Sequence, residues 1–140
     1  MKHSLTIYCG VSFEPYEDTD YSSYTSYVAS LSRLSESYVL LSLQLSSYFP
    51  RCNFVVVTND PYLYLTIANN HSKALPQIQY CPFEFRTNVG TPFRLAHYKI
   101  DVWKHISTYC STSHALLLDL DVVAFPNTFK QLLVLLDDQT

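Results

Sequence analysis

The sequence predicts an α/β domain built on a mostly parallel sheet flanked by helices. Three observations carry that expectation. Segments of strand and helix period alternate four times, the arrangement that crossover connections between parallel strands require. Two strand segments, Phe54-Val55-Val56-Val57 and Ala115-Leu116-Leu117-Leu118, are apolar at every position, as in strands covered on both faces. The 140 residues, 48% hydrophobic and 15% charged, suffice for one core and not for two, so a single domain over 1–140 is expected.

The elements follow in order. A short first strand is expected at 4–9, and 10–24, with Pro15 and several acidic and serine residues, reads as a loop. From Tyr24 the period lengthens. Tyr27, Val28, Leu31, Leu34, Tyr38, Leu41, Leu45 and Tyr48 recur every three or four residues, one face of a long amphipathic helix that Pro50 closes. The second strand, 53–58, ends in the turn Asn59-Asp60-Pro61, and 62–70 reads as a short helix. A third strand is expected at 77–83 and a loop at 87–92. Helical period returns over 93–109 through Leu95, Tyr98, Val102, Ile106 and Tyr109, with Asp101, Lys104 and His105 on a polar side. The last strand begins at His114, and Asn127 is placed to cap a final helix through Leu136.

Composition excludes several functions. A net charge of -3, a pI near 5.9 and the lack of any Lys/Arg run argue against a nucleic-acid surface. Two glycines in the whole chain rule out a Walker A loop and a GxGxxG turn. Cys9, Cys52, Cys81 and Cys110 form no CxxC pair; free thiols in a reducing compartment are expected, with disulfides left open. No signal peptide or apolar run of membrane-spanning length is visible, so a cytoplasmic protein without a membrane span is expected. Most of the twelve tyrosines are expected to pack in the core.

The chemistry concentrates in Asp119-Leu120-Asp121, behind the apolar run 115–118. In an extended chain these two aspartates point to one face. Carboxylates crowded in an apolar setting repel each other and resist desolvation, and a divalent cation relieves both penalties. Oxygen ligands suit Mg²⁺ or Mn²⁺, which keep water and phosphate oxygens in their other positions. In open parallel sheets, ligands sit beyond the carboxyl ends of the strands, where this motif falls.

The motif and its surroundings resemble the DxD region of nucleotide-sugar glycosyltransferases with the GT-A fold. Lys99-Ile100-Asp101-Val102-Trp103 is similar to the Lys-x-x-x-Trp helix segment that precedes the DxD strand in the glycogenin-like retaining group. Val122-Val123-Ala124-Phe125-Pro126-Asn127-Thr128-Phe129 resembles the strand, turn and helix after the motif, and Val55-Val56-Val57-Thr58-Asn59-Asp60 the second strand and its acidic end. The order of elements is similar over most of the chain, but only 93–129 is specific. The resemblance implies a Rossmann-like, GT-A-type sheet and transfer of a sugar from a nucleoside diphosphate, UDP-linked, to an acceptor it does not identify. Asp121 would bind Mn²⁺ or Mg²⁺ directly, and Asp119 would share the metal or hold the ribose. Lys99 would approach the diphosphate. Tyr8, Cys9 and Gly10 at the end of the first strand would contact the base, and Tyr24 would stack on it. Arg94, about one helical turn before Tyr98 and Lys99, is a further phosphate candidate. Family members continue well past this point, so 1–140 corresponds to the donor-binding part. The acceptor side is then left to a C-terminal half or to a second copy in a homo-oligomer.

Two other readings stand beside this one. A non-catalytic GT-A-shaped binding module is compatible with the short C-terminal part. A haloacid-dehalogenase-type phosphohydrolase also carries an apolar strand followed by Asp-x-Asp, but its motif continues Gly-Thr where this chain has Val122-Val123.

Overall fold

β1 (Leu5–Val11) lies inside the sheet, and every one of its residues is buried. The computed structural model describes residues 4–13, 20–48, 52–60, 77–84, 97–119, 130–131 and 134–135. Within these, the chain runs β1, α1 (Tyr24–Tyr48), β2 (Asn53–Thr58), β3 (Gln77–Tyr80), α2 (Lys99–Tyr109) and β4 (His114–Leu118). The four strands form one sheet in the order β3-β2-β1-β4, and each pairing is parallel. The predicted α/β architecture with a parallel sheet is therefore present.

Register divides the core into two faces. Tyr8 pairs with Val55 on one side and Leu117 on the other, so these side chains share a face with Gly10 and Val57. α2 covers that face through Val102 and Ile106, which pack with Tyr8, Val55, Val57, Cys81 and Phe83. Ile7, Cys9, Val11 and Val56 fill the opposite face and are at most 2% exposed. α1 contacts β2, and Leu41 is its one fully buried residue among the described side chains. Ser23 starts α1 by accepting the Ser26 amide at 3.2 Å, a serine N-cap. At the amino edge, Ser4 and Ser113 exchange backbone and hydroxyl bonds that align the starts of β1 and β4.

Several boundaries differ from expectation. β1 runs on through Gly10 and Val11, because a glycine in a strand lying beneath a helix meets a demand for space and not for a turn. β3 ends at Tyr80, although the Cys81 amide still bonds the Thr58 carbonyl at 2.9 Å. Regular helix begins at Lys99; residues 93–96, the helix expected at 62–70 and the loop at 87–92 lie outside the described residues. Helical backbone is found at 130–131 and 134–135, where the last helix was expected; its cap Asn127 lies outside the described residues. No helix among the described residues is long and apolar enough to cross a membrane. All four cysteines are reduced thiols, with no disulfide between them.

The polar side expected for α2 is in part turned inward. Asp101 and His105 are buried, whereas Tyr109, expected on the apolar face, is exposed. The reason lies in β3, where Gln79 shares the α2 face with Val57 and gives His105 Nε2 a partner at 2.8 Å. Burial lowers the His105 pKa below its ordinary 6.5. A histidine depressed in the folded state stabilises fully above its unfolded value. That contribution is lost as pH falls from 6.5 through the lower folded value. The melting temperature is therefore expected to fall more steeply between about pH 7 and 5 in the wild type than in His105→Gln; parallel profiles would refute this role.

Candidate functional site at the carboxyl ends of β1 and β4

The strand order creates the site. From β1 the chain crosses through α1 to β2 on one side, and later returns through α2 to β4 on the other. The carboxyl ends of β1 and β4 therefore flank the point where the order reverses, the usual ligand crevice of an open parallel sheet. Because α2 leads back to the start of β4, its own N-terminus lies at this same carboxyl edge. Gly10, Tyr98, Lys99 and Asp119 meet there.

Gly10 and Tyr98 form the floor. The Tyr98 hydroxyl donates to the Gly10 carbonyl at 3.1 Å, and its ring stacks on Phe83 at 5.3 Å between centroids. A Cβ on residue 10 would lie 2.8 Å from Tyr98 Cε2 and 2.9 Å from Val102 Cγ2. Only glycine lets α2 press this closely on β1. Burial, followed by the nearby Cys9 and Asp119, pushes the Tyr98 hydroxyl up to about 12, so it remains a donor.

Above this floor, Lys99 Nζ contacts Asp119 Oδ1 at 2.5 Å. The pair links the first turn of α2 to the residue that follows β4, and both side chains stay partly open to solvent at 37% and 54% exposure. Tyr98, at the N-cap of α2, makes no side-chain capping bond. The Ile100 and Val102 amides are bonded to the His97 and Tyr98 carbonyls, at 3.0 and 3.1 Å, and Lys99 places a full positive charge at the start of α2.

The other residues that the sequence singles out are placed differently. Tyr8 is buried in the core at 3% exposure and its hydroxyl bonds Cys110, toward the amino edge; burial first, and then Cys110, raises it to about 12. Cys9 is fully buried on the opposite face of the sheet. Tyr24 opens α1, which by topology also starts at the carboxyl edge; it is 64% exposed and lies against Tyr27. Trp103, one turn after Lys99, is half exposed. Arg94 and Asp121 lie outside the described residues. Two contributors are not evident from the sequence. Tyr98 reads there only as a core residue, and Asn59 as part of a turn. The Asn59 side chain in fact holds both the amide and the carbonyl of Phe13, at 2.8 and 2.9 Å, fixing the segment that leaves β1.

For a divalent cation, Asp119 supplies a hard oxygen donor at the carboxyl edge. Its charge is matched in this structure by the Lys99 ammonium. Among the described residues no group of three or more His, Cys, Asp or Glu is placed to hold a metal ion. Comparison of the chain with known protein families, curated proteins and solved structures gives no match. Fold and site together define a parallel α/β protein with an ion-paired crevice at its topological switch point.

Proposed function

We propose that the chain carries the donor-binding part of a metal-dependent glycosyltransferase of GT-A type. In this reading a UDP-linked sugar lies across the carboxyl ends of β1 and β4, and Mn²⁺ or Mg²⁺ is held by Asp119 and Asp121. The single observation that supports it most is the meeting of Lys99 and Asp119 at the switch point. Cleaving the bond between a sugar and a nucleoside diphosphate leaves charge on the diphosphate. Lys99 offsets that charge, and the metal would supply Lewis acidity when bound.

Calorimetry with UDP and a UDP-sugar tests the reading. Binding is expected only with Mn²⁺ or Mg²⁺, and Asp119→Ala or Asp121→Ala is expected to weaken it at least about tenfold. Equal binding in a chelator, or unchanged affinity in both variants, would sink it. Turnover of the donor then separates a transferase from a binding module of the same shape.

A further inference from the structure

We propose that the outer face of α1 binds a second copy of this chain, the two helices running antiparallel about a two-fold axis. Among the described side chains of α1 only Leu41 is fully buried. At helical spacing Val28, Ala29, Arg33, Glu36, Leu40 and Leu43 lie on the side away from Leu41, and all six are exposed. Leu40 is 67% exposed, Leu43 47% and Val28 44%. A helix face turned to water is ordinarily rich in charge. The 25 residues of α1 carry only two charges, Arg33 and Glu36. Apolar side chains around so little charge have the make-up of an interface core.

The two charges identify the occupant. They are opposite in sign, three positions apart and close to the middle of the helix. Neither is ion-paired within the chain among the described residues. An antiparallel two-fold axis passing between them sets Arg33 of each copy level with Glu36 of the other, giving two ion pairs. Positions 29 and 40 straddle the same midpoint as 33 and 36. The same axis therefore brings Leu40 of each copy over Ala29 of the other, a large side chain onto a small one. Val28 then falls beside Leu40 and Leu43 of the second copy. A parallel pairing in register would instead set Arg33 beside Arg33.

Sedimentation velocity over about 1–200 µM protein reads the assembly. A reversible monomer–dimer equilibrium is expected for the wild type. Arg33→Glu and Glu36→Arg each set like charges across the axis twice, and each is expected to weaken dimerisation at least about tenfold. Mixed one to one, these two variants regain both ion pairs and are expected to form a heterodimer within about threefold of the wild-type affinity. Leu40→Ser, which removes two apolar contacts by one change, is also expected to cost at least about tenfold. All three side chains are exposed, so circular dichroism should show unchanged helix in every variant. A wild type that stays monomeric throughout overturns the proposal. So does a dimer that tolerates the charge reversals and Leu40→Ser, which would place the contact on another surface. A mixture of the two reversed chains that dimerises no better than either alone would refute the antiparallel register.

Discussion

Gly10→Ala is expected to destabilise the protein by about 1–2 kcal/mol and to weaken ligand binding in the fraction that remains folded. The added methyl would stand 2.8 Å from the Tyr98 ring and 2.9 Å from Val102. Neither neighbour yields easily. Val102 is fully buried, and the Tyr98 ring is held between Phe83 and the bond from its hydroxyl to the Gly10 carbonyl. Overpacking of this kind costs about 1–3 kcal/mol, offset by about 0.4–1 kcal/mol from a less flexible unfolded chain. The melting temperature should drop by roughly 2–8 °C. Lys99 follows Tyr98 directly, so a displaced ring also shifts the ammonium relative to Asp119. A surface substitution of matched destabilisation should leave UDP affinity intact where Gly10→Ala lowers it. Equal affinities in the two would detach Gly10 from the site, and an unchanged melting temperature would remove the packing account.

Gly10 also marks the border of what was legible in the residues. Asp119 was legible because a polar residue closing an apolar strand run belongs at a sheet's carboxyl edge, and Lys99 because the helix before that strand must start at the same edge. The parallel sheet was legible for a similar reason: Val55, Val56 and Val57 have no polar alternation, and the structure buries all three. Contacts between distant elements were not. Gly10 reads locally as a strand terminator, since its need for space comes from Tyr98, 88 positions away. Tyr8 and Gly10 lie on one face of β1, yet the Tyr8 hydroxyl bonds Cys110 while Gly10 borders the crevice. Nothing in the local pattern tells these two ends apart. Asp101 and His105 looked solvent-facing because hydropathy cannot foresee that Gln79 awaits His105 on β3.

Tyr98 should then be the residue whose truncation costs most at this edge. Tyr98→Ala removes the stack on Phe83, the contact with Gly10 and the hydroxyl bond together. For a part-buried aromatic the expected loss is about 2–4 kcal/mol, below the range for fully buried rings. Tyr98→Phe keeps the ring and deletes only the bond to the Gly10 carbonyl, so about 0.5–1.5 kcal/mol is expected. Chemical denaturation of the two variants separates packing from hydrogen bonding; equal losses would mean that the hydroxyl, not the ring, holds α2 on β1. The pair with Gly10 adds a sharper check. The methyl of Gly10→Ala collides with the ring that Tyr98→Ala removes, so the double variant should be more stable than the sum of the single losses predicts. A coupling of at least about 0.5 kcal/mol is expected for residues in contact. Strict additivity would show that the two do not share the contact on which the geometry of Lys99 depends.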